Sequence, residues 1–322
     1  MFGVSLLKPQ SDVGPSDVCC PVRGCGHRVP LQPALFRTTP EYRCPLHRIY
    51  VAASTFAYER EVDNLLWTGE DDLALLNGGR PRGRDLGLTH DNSERALTWN
   101  VFRWLEVSGA LPAFLEHALG RTVATVDLVY WGYSPEREGV WMPLVRARNA
   151  FDEEHADVTE PAVLIETGDT LIAVDPRLGP GAGRSWTPAH WERYERGGKG
   201  WAANVFSGDL REIVADKSAF EFVKLWLLGS YMAEAEGKAF VLMHMTPAWS
   251  GAPLLDSLRP QVKSGPGREV ASVTWEDVYA HVSAECANAR NAPALLTYLR
   301  EKSAGYGADG RLRRAFALPP CA

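Results

Sequence analysis

The stretch Glu160-Pro-Ala-Val-Leu-Ile-Glu-Thr-Gly-Asp-Thr-Leu-Ile-Ala-Val-Asp-Pro-Arg177 decides how this chain is read. Val163, Leu164 and Ile165 form one apolar run, and Leu171, Ile172 and Val174 form a second. Gly168 and Asp169 lie between them, so the spacing predicts a β-hairpin with a tight turn. Pro176 removes a backbone donor from the second strand, which predicts an edge position or a bulge there. Acids at the ends of buried strands can hold a divalent cation, and a nearby cationic side chain can offset charge on a phosphate. As a plain surface hairpin the same acids would only be solvated.

Outward from the hairpin, the pattern alternates between helix and strand. Residues 92–107 read as an amphipathic helix capped by Asn92 or Ser93, with Leu97, Val101, Trp104 and Leu105 on one face. Glu94 falls close to that apolar stripe, where an acid is unusual unless it is paired or holds a metal, although a first-turn glutamate also complements the helix dipole. Residues 128–131 and 140–145 predict two strands ahead of the hairpin. After it come a long apolar helix over 218–235 and a buried strand over 239–245. Helices over 275–287 and 292–302 precede a glycine-rich turn and the basic run 311–314.

The hairpin resembles the signature of the PD-(D/E)XK, or restriction-endonuclease-like, superfamily. That signature is an acid after proline on one strand, then acid-x-lysine on the next. In this chain Ala162 follows Pro161, and Asp175-Pro176-Arg177 stands for acid-x-lysine. The resemblance spans roughly residues 90 to 310 in the order of elements. It implies an α/β fold, a mixed sheet flanked by helices, with a glutamate on the preceding helix, matched by Glu94, facing the site. It also implies Glu94, Asp175 and Arg177 as the catalytic residues. Mg²⁺ or Mn²⁺ would be held by Asp175 with Glu94 and with Glu160 or Glu166, while Arg177 steadies the phosphate and water attacks in line. Ala162 offers no oxygen to a metal. Arg177 keeps a positive charge but cannot shuttle a proton as a lysine can.

The N-terminal segment carries a second pattern. Cys20 and Cys25 are followed by Cys44 and His47, two ligand pairs flanked by Pro21, Gly24, Gly26 and Pro45, which suit knuckle turns. These residues predict a structural zinc in a zinc-ribbon-like module, with Cys19 and His27 as competing ligands. Reduced cysteines packed in a small core are the alternative. The six cysteines are too few for a disulfide scaffold in a chain of 322 residues.

These signals divide the chain into a zinc module over 1–50, a linker or helical segment over 51–90 and the nuclease-like domain over 91–322. Residues 51–67 predict a helix, and 77–84 a glycine-rich basic loop without phosphate-loop spacing. The formal charge of −6 argues against a surface wholly given to nucleic acid, although residues 1–50 carry a net +3. Within residues 184–201, Arg184, Trp186, Arg193, Arg196 and Lys199 interleave cations with aromatics, a pattern that can grip a nucleic-acid strand; a helical insertion with tryptophans packed on the core would read the same way. No apolar run is long enough to span a bilayer and no secretory pattern opens the chain, so a cytoplasmic location is expected.

The expectation is therefore a bacterial nuclease-like protein that binds or cleaves DNA, set in defence against foreign DNA, with a degenerate catalytic motif. A catalytically inactive nucleic-acid-binding or complex-organising subunit is the second reading. A zinc-stabilised protein-interaction module, with protein partners alone, is the third.

Overall fold

A computed structural model describes residues 6–80, 86–123, 126–153, 159–179, 187–216, 219–250 and 253–319. Its first five strands are short and gather around cysteines. β1 (Asp17–Cys19) pairs antiparallel with β2 (Arg28–Pro30). β3 (Arg43–Cys44), β4 (Ile49–Val51) and β5 (Phe56–Tyr58) form a three-stranded antiparallel sheet. The helix predicted over 51–67 is not formed. Ile49 and Val51, then Phe56 and Tyr58, alternate at a period of two onto a small core containing Cys20, Cys25 and Cys44, and a 3-10 turn over Glu61–Asn64 follows.

Three helices come next: α1 (Glu70–Gly79), α2 (Glu94–Val107) and α3 (Leu111–Leu119). The loop predicted over 77–84 begins inside α1, and residues 81–85 lie outside the described set. Ser93 caps α2, its hydroxyl accepting from the Ala96 amide at 3.2 Å, and Leu97, Val101, Trp104 and Leu105 are all buried.

The strands β6 (Asp127–Tyr130), β7 (Tyr133–Ser134) and β8 (Gly139–Val140) lead into α4 (Met142–Ala150). The strand predicted over 140–145 is thus mostly helix. Pro143 in the first turn presets helical geometry, and Leu144, Ala147 and Phe151 bury themselves at spacings of three and four. β9 (Val163–Glu166) and β10 (Thr170–Pro176) form the predicted hairpin, with Ile172 opposite Ile165. Helices α5 (Pro188–Gly200), α6 (Ala202–Val205), α7 (Leu210–Ile213) and α8 (Phe220–Ala235) lead to β11 (Ala239–Thr246). Then follow α9 (Pro253–Leu258), β12 (Arg268–Thr274), α10 (Trp275–Glu285), α11 (Ala292–Glu301), β13 (Ser303–Tyr306) and β14 (Leu312–Arg314).

The fold is α/β, with a seven-stranded mixed sheet ordered β12-β11-β10-β9-β6-β7-β8. β10, β11 and β12 are parallel, and the remaining pairs are antiparallel. Alternate residues feed two cores. Val163, Ile165, Ile172, Val174, Val241 and Met243 pack under α2, α3, α10 and α11. Leu164, Leu171, Ala173, Phe240 and Leu242 pack under α4 to α9. Burial of each such side chain contributes about 1.5–3 kcal/mol. Gly229 lets α8 lie close on β11, since a Cβ there would meet the Phe240 ring at 2.3 Å.

Pro176 is neither on an edge strand nor in a bulge. β10 is interior, but its pairing with β9 ends at Ala173, and the Arg177 amide donates to Met245 O at 2.8 Å on the β11 side. The ring nitrogen of Pro176 faces the opposite side, beyond the end of β9, so the missing donor removes no ladder bond.

The C-terminal hairpin β13–β14 returns to the N-terminal strands. Ser11 N donates to Gly310 O at 2.6 Å, Leu312 N to Pro9 O at 3.0 Å and Tyr306 N to Ser54 O at 2.6 Å. Buried Asp91 accepts from Tyr58 Oη at 3.2 Å and Ser303 Oγ at 2.5 Å, joining the module, the hairpin and the start of α2. Among the described residues no helix is long and apolar enough to cross a membrane.

Candidate functional site

Two polar centres stand out. The first is built by the knuckle after β1 and the turn between β3 and β4. Gly24, with φ of +79°, turns the chain so that Cys20 and Cys25 face inward, and the next turn presents Cys44 and His47. The four ligand atoms all lie within 4.8 Å of one another. His47 Nδ1 is 3.6 Å from both Cys20 Sγ and Cys44 Sγ, and Cys25 Sγ is 3.9 Å from Cys44 Sγ. A tetrahedral zinc with bonds of about 2.3 Å to sulfur and 2.0–2.1 Å to nitrogen sets ligand edges of roughly 3.8 Å and 3.6 Å. The donor set and its spacing are compatible with a structural zinc.

Burial, with Cys44 and Cys25 as neighbours, pushes the Cys20 thiol well above its ordinary range. A cation held among the four ligand atoms would offset the cost of a thiolate at Cys20. The competing ligands fall outside the set. Cys19 Sγ lies 3.1 Å from Lys8 Nζ and donates to Cys25 O at 3.4 Å, whereas His27 takes part in the knuckle through its carbonyl, which accepts from Cys20 N at 2.8 Å.

The second centre lies at the carboxyl end of β10. Asp175 and His244 are register partners on adjacent parallel strands and share the α8 face of the sheet. Asp175 is 2% exposed, with one oxygen 2.7 Å from His244 Nδ1 and the other 3.0 Å from Arg177 Nη2. Burial works to raise the Asp175 pKa, but Arg177 and the His244 hydrogen bond outweigh it and hold the group below its ordinary value. Glu94 arrives from α2 on the opposite face, and its Oε1 accepts from Leu178 N at 2.8 Å. Desolvation raises the Glu94 pKa, with Asp175 and Glu221 adding to the rise and Arg177 and the Leu178 amide opposing it. Arg177 stays charged because Asp175, Glu94 and Glu221 overcome the cost of burying it. Its Nε and Nη2 are buried without a hydrogen bond of good geometry, Nη2 being an ion-pair neighbour of Asp175 only.

The structure therefore brings Glu94, Asp175 and Arg177 together. It adds His244 and Glu221, which were not singled out from the sequence. Each had a signal: His244 is a polar residue inside an otherwise apolar strand, and Glu221 is an acid in the first turn of an apolar helix.

Glu160, just ahead of β9, has Arg95 Nη2 at 4.0 Å and only 5% of its side chain exposed. Among the described residues Glu94, Glu160 and Asp175 do not gather as a metal-ligand group in the way the cysteines do. Glu166 stands at the far end of β9, paired to Lys238 and Arg137 at 3.0 Å each, and is no part of this centre. Continuing the β9–β10 register past Leu164↔Ala173 sets Ala162 across from Asp175.

Of the cations expected to grip nucleic acid, Arg184 and Trp186 lie outside the described residues. Arg193 sits over the Tyr194 ring and donates to Asp152 O at 3.5 Å, while Arg196 and Lys199 are exposed. The described aromatics of this stretch turn inward. Trp191 packs on the α8-side core with Arg211 at 3.6 Å from its ring centre, and Trp201 Nε1 donates to Ser230 Oγ at 2.9 Å. α5 breaks at Gly197, where a Cβ would lie 2.3 Å from the Phe151 ring. No protein-family model, curated protein or solved structure matches the chain.

Proposed function

We propose that this chain is a nucleic-acid-binding protein on a restriction-endonuclease-like frame, stabilised by a zinc module, whose hairpin site binds without cutting. One observation carries the non-cleaving part: Asp175 is sealed between Arg177 and His244, and Ala162 stands where a second carboxylate would have to be. A carboxylate ion-paired to a buried guanidinium and hydrogen-bonded to an imidazole exchanges them for a metal only at a cost, and one acid without a close partner holds Mg²⁺ weakly.

The frame is supported by the order helix, three antiparallel strands, helix, parallel strand, realised as α2, β6, β9, β10, α8 and β11. A cytoplasmic, DNA-directed role in defence fits that frame, and the reduced cysteines suit a reducing compartment. Cleavage with Mg²⁺ or Mn²⁺ held by Glu94, Asp175 and Glu160 is the active form of the same idea. It requires Arg177 to release Asp175.

Two assays test the proposal. In the first, fluorescence anisotropy of labelled duplex and single-stranded DNA is followed through a salt series. Retention that weakens steeply with salt is expected. Failure to retain either strand at low salt overturns the proposal and selects the interaction-module reading. In the second, supercoiled plasmid is incubated with Mg²⁺ or Mn²⁺. The natural chain should leave it intact, and Ala162→Asp should nick it. Nicking by the natural chain removes the non-cleaving assignment, and nicking by neither leaves a binding scaffold.

A further inference from the structure

The N-terminal segment lies beside the metal knuckle like an added strand. Leu7 bridges Val22, Lys8 N donates to Pro21 O at 2.7 Å and Arg23 N to Leu6 O at 2.7 Å. That pairing turns the Lys8 side chain into the knuckle. Its Nζ donates to Cys20 O at 2.8 Å and to Cys25 O at 2.7 Å, and lies 3.1 Å from Cys19 Sγ. An ammonium has three protons, and all three are committed here. Two of the acceptors are the carbonyls of metal-ligating residues, and the third is the spare thiol. Three thiolates, a neutral imidazole and Zn²⁺ together carry one negative charge, which a single ammonium balances.

We infer that Lys8 is the positioning residue of the Cys20–Cys25–Cys44–His47 centre. It fixes the knuckle in its ligating shape, offsets the charge of the loaded site and keeps Cys19 out of the ligand set. The inference rests on the zinc reading of that cluster.

The full-length chain is refolded at a series of buffered free-zinc concentrations, and the zinc level giving half refolding is read from near-ultraviolet circular dichroism. Because refolding itself is the readout, a variant that fails to fold without metal is still measured. Lys8→Met, which keeps the apolar stem, should need roughly 10–100-fold more free zinc than the natural chain, the usual effect of losing an outer partner of a metal site. Cys19→Ala should leave the midpoint in place. Cobalt-substituted protein then reads the ligands. The natural chain and Cys19→Ala should show the same three-thiolate charge-transfer band, and in Lys8→Met that band should strengthen as Cys19 competes with His47. An unchanged zinc midpoint in Lys8→Met overturns the proposal whatever the spectrum shows. A natural chain that takes up no zinc overturns the metal reading itself, and the role of Lys8 falls with it.

Discussion

The cysteine cluster at the knuckles and the carboxylate cluster at the end of β10 are built from similar ingredients and end in opposite states. At the knuckles, four candidate ligand atoms face one another within 4.8 Å, and the neighbouring cation, Lys8, engages Cys19 and two backbone carbonyls rather than any of the four. At the end of β10, Asp175 and Glu94 come from two faces of the sheet, but Arg177 attracts both and lies 3.0 Å from Asp175, and His244 takes the other Asp175 oxygen at 2.7 Å. The first centre is open to an external cation. The second already contains one. Residue types alone therefore do not make a metal site; what decides is whether the protein's own cation has filled the gap.

The sharpest way to break this contrast is to deny the knuckles a metal ion. Chelation, or Cys44→Ser, is expected to unfold the module over β1 to β5, since zinc in such small units is worth on the order of 10 kcal/mol. Loss of amide protection at Ile49 and Val51, with the large sheet still protected, checks it. The internal cation comes second. Asp175→Ala strands a buried guanidinium and should cost roughly 3–5 kcal/mol in a urea melt, whereas adding Arg177→Met to it should recover part of that loss.

Acidity separates the carboxylates further. Asp175 is held below its ordinary 3.8, so its contribution is present above that pH and is lost as pH falls through the still lower folded value. Glu94 is raised above 4.5, so its contribution is present below that pH and is lost as pH rises through the folded value. Glu94→Gln should accordingly be more stable than the natural chain at pH 7, with the gap closing toward pH 4; equal melts across that range would refute it. The smallest effect belongs to α5. Arg196→Ala and Lys199→Ala should each move stability by less than about 0.5 kcal/mol. If α5 contacts the backbone of a bound strand, each should lower the salt slope of binding by roughly one.

Much of this was legible in the residues because it is local. The hairpin followed from two apolar runs and a turn, α2 from its stripe and cap, and the Cys20, Cys25, Cys44 and His47 cluster from cysteine spacing. What escaped depends on partners distant in the chain. Asp175 meets His244 only because β10 and β11 are parallel, a pairing of residues 69 apart that no local period reports. Pro176 looked disruptive until its nitrogen was seen to face beyond the end of β9. Residues 140–145 are apolar enough for a strand, and Pro143 tipped them to helix. The aromatics near Arg193 suited nucleic acid by type, yet the core claimed Trp191 and Trp201.

The return of β14 to the N-terminal strands has a consequence for how the molecule comes into being. Tyr306 Oη donates to Lys8 O at 3.1 Å across 298 residues, so one flank of the cysteine module stays bare until the β13–β14 hairpin has been made. Closing so long a loop costs several times RT, growing as about (3/2)RT ln n. A folding unit that must wait this long for its cover would gain from an ion bound early, because a metal at Cys20, Cys25, Cys44 and His47 would hold the nascent knuckles shut before that hairpin arrives.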